Sequence, residues 1–451
     1  MRSELHNVVV EKLEDFYASG IPATFERDLS LGDVTAPATG NLVQVIVGVR
    51  RCGKTYRLYQ EMHRILALGV DLRSILYFNF DDERLKPYDV ALLDDVVETF
   101  FAMNPKAKDE GAYLFFDEIQ EVPEWGTFMR RMVDTQKASI YVTGSSSKML
   151  SLQMATEFRG RSLSRELFPM SFSEYLRFHG HGSYTAATTI TSSDRARLRH
   201  ECGRYLAQGG FIATQALEPS DAVQLLQEYA NRTVNYDIME RYSVSNARAA
   251  SLFLSRCIAS SGRELSVNKV RNDFKSRGIA VSRETLSQLL TYYEEAFLLF
   301  TVRNYSVALA DNARSSAKVY AVDPALFSAF SPAASNDTGQ RLETAVFNKL
   351  RREAPTTRRG SISSAIVIDG ATRREIDFVV GDELVLETPQ LIQASISLAD
   401  EATRRRELTA CSAGMRQFGV SEATIVTLDE EDEAEVPSGL VRIVPAWKWL
   451  L

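Results

Sequence analysis

An apolar run, Leu42-Val43-Gln44-Val45-Ile46-Val47, leads into Gly48-Val49-Arg50-Arg51-Cys52-Gly53-Lys54-Thr55 and then into a segment of helical character, Tyr56-Arg57-Leu58-Tyr59-Gln60. Strand, glycine loop and helix in that order form a cradle for phosphate. Gly48 and Gly53 let successive backbone N–H groups turn inward, and the helix beginning near Lys54 adds the positive end of its dipole. Lys54 is expected to reach the β- and γ-phosphates, and Thr55 to give its hydroxyl to Mg2+. Arg50, Arg51 and Cys52 complete the loop as nucleotide-contacting positions. Cys52 reads first as a small side chain filling space in the loop; the alternative is a thiol made reactive by the helix N-terminus, whose alkylation would block nucleotide binding.

Hydrolysis needs two carboxylates beyond the cradle, one for the metal shell and one for the attacking water. Tyr113-Leu114-Phe115-Phe116-Asp117-Glu118 supplies both at the end of an apolar strand, Asp117 for Mg2+ and Glu118 for water. One strand later, Tyr141-Val142-Thr143-Gly144-Ser145-Ser146 sets polar residues at a strand tip, where one can sense the γ-phosphate. Strand candidates at 42–47, 74–80, 112–117, 139–143 and 162–168 alternate with helical segments near 54–68, 89–103 and 124–137. That alternation implies a parallel α/β sheet covered on both faces, preceded by an amphipathic N-terminal helix.

Residues 1–178 therefore read as one P-loop domain, and 179–195 as a linker whose His179 and His181 are plain loop residues. Residues 196–334 read as a helical and winged-helix region, helical throughout over 196–300, with the winged helix over 249–305. Its third helix presents Arg283, Glu284, Ser287, Gln288 and Thr291, and Leu298–Tyr305 forms the wing. From 335 to 451 a third, α/β region is expected: helices 339–352 and 400–416, and strands near 362–368, 374–380, 384–387, 391–397, 423–428 and 440–444. The acidic run Asp429–Glu433 reads as a solvated loop.

The chain has 451 residues, 25% of them charged, and a formal net charge of −7. That balance argues against indiscriminate nucleic-acid binding by the whole chain and leaves room for a local basic face. Arg351-Arg352, Arg358-Arg359, Arg373-Arg374 and Arg404-Arg405-Arg406 are candidates for gripping a phosphate backbone. Four scattered cysteines and no apolar run near the ~20 residues of a membrane span fit a cytoplasmic protein with reduced thiols.

The glycine loop, Phe116-Asp117-Glu118-Ile119-Gln120, Thr143-Gly144-Ser145-Ser146, Gly160-Arg161 and Phe168-Pro169-Met170-Ser171-Phe172 occur together in this order. In this the chain resembles the prokaryotic AAA-type ATPases that pair a P-loop domain with a C-terminal domain of uncharacterised function. The resemblance implies an additional-strand ATPase core with ATP and Mg2+ as ligands, Glu118 as catalytic base, and Ser145 or Thr143 as sensor. It implies an arginine finger at Arg161 or Arg159, often supplied between subunits, so an oligomer is in view. The C-terminal domain of such proteins resembles PD-(D/E)xK nucleases. The matching positions are Glu343 and Asp377 as metal ligands and Gln393-Ala394-Ser395, with Ser395 where a nuclease has lysine. Three functions stay open: a DNA-contacting ATPase, a slow nucleotide switch for a protein partner, and an ATP-gated nuclease.

Overall fold

The computed structural model describes residues 2–145, 160–184, 188–240, 242, 246–305, 317–331, 337–354, 361–381 and 388–451. They part into two compact units, Met1–Leu167 with Glu295–Phe297, and Phe168–Glu294 with Leu298–Leu451.

The first unit is built on five parallel strands: β1 (Val43–Val47), β2 (Ile75–Asn79), β3 (Ala112–Asp117), β4 (Ala138–Gly144) and β5 (Ser162–Glu166). Their order across the sheet is β2-β3-β4-β1-β5, so β4 is inserted between the strand of the glycine loop and the strand of the acid pair. Every residue of β3 and β4 is buried. This is why those strands are continuously apolar instead of alternating. The helices are α1 (Arg2–Ser19), α2 (Lys54–Ala67), α3 (Val90–Met103), α4 (Pro105–Glu110) and α5 (Trp125–Thr135). Helix α2 buries Leu58, Met62 and Ile65 on one face, the i, i+4, i+7 spacing of an amphipathic helix. Each strand of the first unit lies within two residues of its expected bounds.

The second unit starts with α6 (Phe172–Phe178), α7 (Ser192–Gln208) and α8 (Pro219–Arg232). The expected linker runs into α7, because Thr191 and Asp194 close a capping box that starts the helix at Ser192. Residues 185–187 of that stretch lie outside the described residues. Next come α9 (Ala247–Ile258), β6 (Arg263–Leu265), α10 (Val267–Ser276), α11 (Arg283–Glu295), β7 (Leu299–Val302) and β8 (Ala317–Ala321). The three strands form an antiparallel sheet in the order β6-β8-β7. An all-helical reading of 196–300 is therefore wrong at Arg263–Leu265. Three residues are too few to carry a period, and only pairing with β8 holds them extended.

Helices α12 (Pro324–Phe330) and α13 (Thr338–Glu353) lead to a six-stranded mixed sheet ordered β13-β14-β12-β11-β10-β9. Its strands are β9 (Ile362–Asp369), β10 (Thr372–Val380), β11 (Gln390–Ala394), β12 (Glu422–Thr427), β13 (Asp432–Val436) and β14 (Gly439–Pro445), and α14 (Glu401–Phe418) packs Ala410, Ala413 and Met415 on it. The strand expected at 384–387 lies outside the described residues. The acidic run is not simply a loop: its last residues open β13, an edge strand against β14. An edge tolerates acids because its outer side chains stay in water. The expected 196–334 and 335–451 regions both lie in this second unit, apart from Glu295–Phe297.

Candidate active site

The strands of the first unit are parallel, so the C-terminal ends of β1, β3 and β4 open on one edge of the sheet. There α2 starts from Gly53, whose φ of 101° is left-handed and suits glycine. Gly48 is required for another reason. A Cβ at this position would stand 2.1 Å from the Leu167 carbonyl oxygen and 3.1 Å from Cys52 Sγ. Gly48→Ala is expected to cost about 1–3 kcal/mol, as overpacking does, measured as a lower urea midpoint at constant slope; an unchanged midpoint refutes the close approach.

Lys54 is 4% exposed, and its ammonium donates to the carbonyls of Gly48 at 3.2 Å and Val49 at 3.3 Å. Glu118 Oε1 lies 3.8 Å from the same nitrogen. The Thr55 hydroxyl donates to Asp117 Oδ2 at 2.7 Å, which puts two hard oxygen donors side by side. Asp117 is fully buried. Its carboxylate also accepts from Tyr77 at 3.1 Å, from Asn79 at 3.2 Å and from the Thr143 hydroxyl. Burial, with the neighbouring Glu118 charge, raises its pKa, and the bonds from Thr143 and Thr55 oppose the rise. A bound cation would favour the ionised form.

Glu118 has a φ of 53°, rare for a residue with a side chain, and its N–H donates to Thr143 Oγ1 at 3.1 Å. Its Oε2 accepts from Gln120 Nε2 at 2.6 Å, and the same amide reaches Ser145 Oγ at 3.4 Å. Gln120 Oε1 is buried and has no hydrogen-bond partner among the described residues. Ser145 is 2% exposed. Lys54, Thr55, Asp117, Glu118, Thr143 and Ser145 are thus brought together as expected. Tyr77, Asn79 and Gln120 were not foreseen. The signal for Asn79 was a polar residue closing an apolar strand, and Gln120 stood unassigned within the quoted motif.

Arg50 lies 3.8 Å from Asp81, while Arg51 is exposed with a φ of 71°. Arg27, from the stretch between α1 and β1, donates to the Cys52 carbonyl at 2.8 Å and is 4% exposed. Cys52 fits the space-filling reading and corrects the alternative of a reactive thiol: it is 2% exposed, and burial pushes the thiol's pKa up against Lys54 and Arg27. Cys52 should resist iodoacetamide in the native chain and react on unfolding, read by mass spectrometry; rapid native labelling overturns the correction.

Arg161 is not brought to this edge. Its carbonyl accepts from Val43 N–H at 2.9 Å, at the opposite end of β1 from Gly48, and its guanidinium pairs with Asp134. At ~3.3 Å per residue the strand separates the two ends by ~17 Å. Arg159 and Ser146 lie outside the described residues.

A second cluster gathers in the other unit. Lys318 Nζ lies 3.1 Å from Glu343 Oε1, 3.0 Å from Asp377 Oδ1 and 2.8 Å from Glu375 Oε1. The pairing of β9 with β10 shifts register between Ile376 and Val379, a bulge that brackets Asp377. Burial, then the Asp377 charge, pushes Glu343 up to about 8. Ser395 bonds Ser397 instead of joining the cluster. Among the described residues no group of three His, Cys, Asp or Glu is placed to hold a metal ion. The expected pair of metal ligands is brought together, but around a lysine.

Several of the arginines expected to grip phosphate are engaged in the fold. Arg351 sits over the Phe300 ring, Arg352 donates to the Pro169 carbonyl, Arg374 bonds Asp369, and Arg404 pairs with Asp432. Arg358 and Arg359 lie outside the described residues. Among the described residues, no helix is long and apolar enough to cross a membrane.

Comparison with known proteins agrees with this architecture. Residues 40–176 match the model of an AAA domain, and 199–337 that of a domain of unknown function. The chain is 30% identical over 427 residues to the uncharacterized protein MJ1544 of Methanocaldococcus jannaschii, covering 93% of this chain and 90% of that one. The chain belongs to that protein's family. An uncharacterized protein of Haemophilus influenzae is 26% identical over 354 residues, 76% of this chain and 81% of its own length. The Aeropyrum pernix ORC1 protein, solved in complex with DNA, aligns at 13% identity over 73% of this chain and 91% of its own, with a TM-score of 0.28. That likeness is too loose to carry an argument. The first unit is an AAA-type P-loop domain, whose sheet is followed by helical and further α/β regions.

Proposed function

We propose that the chain hydrolyses ATP with Mg2+ at the edge formed by β1, β3 and β4. The observation that supports this most is the meeting of Lys54, the Thr55–Asp117 pair and Glu118 within one hydrogen-bonded cluster. The residues fit the ligand: the glycine loop leaves a cradle, Thr55 and Asp117 offer adjacent oxygens for the metal, and Gln120 has a buried oxygen with no partner among the described residues. Bound ATP with Mg2+ supplies a terminal phosphoryl group whose charge is drawn off and which water can attack. Lys54 neutralises phosphate charge, and Glu118 orients the water and takes its proton. Gln120 holds the Glu118 carboxylate in place, with Ser145 behind it as sensor. Arg161, set at the far end of β1, serves as a finger only when a neighbouring copy presents it.

In this reading the P-loop domain (1–178) is coupled to a winged-helix region (196–334) and a nuclease-like domain (335–451) that contact DNA. The order α9-β6-α10-α11-β7-β8 supports the winged helix. Helix α10 shows Lys269, Arg271 and Lys275 to solvent, the exposed Arg277 caps its C-terminus, and Arg283 follows on α11. Those cations favour a duplex partner over the neutral face of α11 alone.

The test is steady-state ATP turnover of wild type and Lys54→Ala, each with and without duplex DNA. Lys54-dependent turnover raised severalfold by DNA supports the proposal. Lys54-dependent turnover indifferent to DNA replaces it with the protein-partner switch, and no turnover at all removes the roles given to Asp117 and Glu118.

A further inference from the structure

Lys318, Glu343 and Asp377 come from β8, α13 and β10, three elements distant in sequence, and their charged atoms meet in a buried site. Lys318 is 5% exposed and Asp377 7%. An isolated ion at such depth is costly, so charges are kept there only when paired and hydrogen-bonded. Three of the four carboxylate oxygens of Glu343 and Asp377 are already committed. Glu343 Oε1 accepts from Lys318 and, at 2.8 Å, from the Tyr320 hydroxyl. Asp377 Oδ1 accepts from Lys318, and Oδ2 from the Ala394 N–H at 3.0 Å. Gln393, at the position of a further metal ligand, uses its oxygen on the Asp377 N–H and its nitrogen on Glu407, both at 3.0 Å. Glu343 Oε2 faces Gly262, where an added Cβ would stand 2.9 Å from it.

A hexacoordinate Mg2+ needs oxygen lone pairs and several waters around it. Here the donors converge on one ammonium, and a metal would have to displace a buried lysine instead of water. The donor set does not fit the metal that the nuclease resemblance implies. We propose that the Lys318 ammonium is the resident cation of this cluster, bridging Glu343 and Asp377 where a divalent metal would otherwise stand. The cluster is then a metal-independent ionic joint between β8, α13 and β10. This inference does not depend on ATP hydrolysis in the other unit.

The experiment compares wild type, Asp377→Asn, Lys318→Arg, Lys318→Ala and the Lys318→Ala/Asp377→Asn pair, all nucleotide-free, by thermal melting and Mn2+ binding detected by electron paramagnetic resonance. Wild type and Asp377→Asn should bind Mn2+ equally weakly, and Mn2+ should not raise the wild-type melting temperature. Lys318→Arg keeps the charge and should stay close to wild type in both readouts. Lys318→Ala leaves Asp377, Glu343 and Glu375 without their shared counter-ion and should lower the melting temperature by roughly 5–10 °C. Mn2+ should restore part of that loss in Lys318→Ala and none of it in the double variant. Should Lys318→Ala fail to fold, the wild-type comparison still decides. Mn2+ bound by wild type and lost in Asp377→Asn overturns the proposal, as does a Lys318→Ala protein that melts like wild type or ignores Mn2+.

Discussion

Glu118→Gln should lower ATP turnover by about 10²–10⁴-fold, the usual worth of a positioned general base, while nucleotide affinity changes only a few-fold. The substitution is close to isosteric, and its amide oxygen can still accept from Gln120 Nε2, now 2.6 Å from the carboxylate. What disappears is the capacity to take a proton from water. Lys54 loses only a partner 3.8 Å away, so the cradle keeps its shape. The measurement is a turnover number beside an equilibrium Kd for ATP. Turnover within tenfold of wild type would show that the base lies elsewhere, and a collapse of Kd would show that Glu118 holds the loop.

Lys54→Ala should act on the other side of that division. A charge-assisted hydrogen bond contributes about 1.5–3 kcal/mol, so losing the ammonium should weaken ATP binding by roughly 10–100-fold and turnover by at least as much. Folding should be little affected. The ammonium bonds carbonyls of its own loop, and the amide N–H groups that line the cradle do not depend on it. Isothermal titration with ATP and a melting curve separate the two. An intact Kd would mean that phosphate is held by backbone alone; a large fall in melting temperature would recast Lys54 as structural. The two variants together split binding from chemistry, which neither does alone.

Much of the nucleotide site was legible in the sequence because its parts are local. The glycine loop, the strand before it and the helix after it occupy one continuous stretch, and each is set by contacts within a few residues. Asp117 and Glu118 follow from a strand too apolar to be anything but central, ending in two acids. The exposed set on α11, from Arg283 to Thr291, followed from helical spacing alone.

Other features depend on which strands become neighbours, and no local pattern states that. Placing β5 beside β1 puts Arg161 at the wrong edge of the sheet for its own phosphate loop, though the motif order gives no hint of it. Cys52 looked reactive from its place beside a helix start, but folding buries it, and desolvation outweighs the neighbouring cations. The C-terminal cluster is the sharpest case. Ser395 marks a missing lysine along the chain, while Lys318, 59 residues before Asp377, supplies an ammonium from another sheet. Sequence by itself determined the elements and the loop chemistry, because hydrophobic period and backbone sterics act over short range. Tertiary structure alone decided which buried charges meet, because pairing distant residues depends on desolvation that exists only once the core has closed.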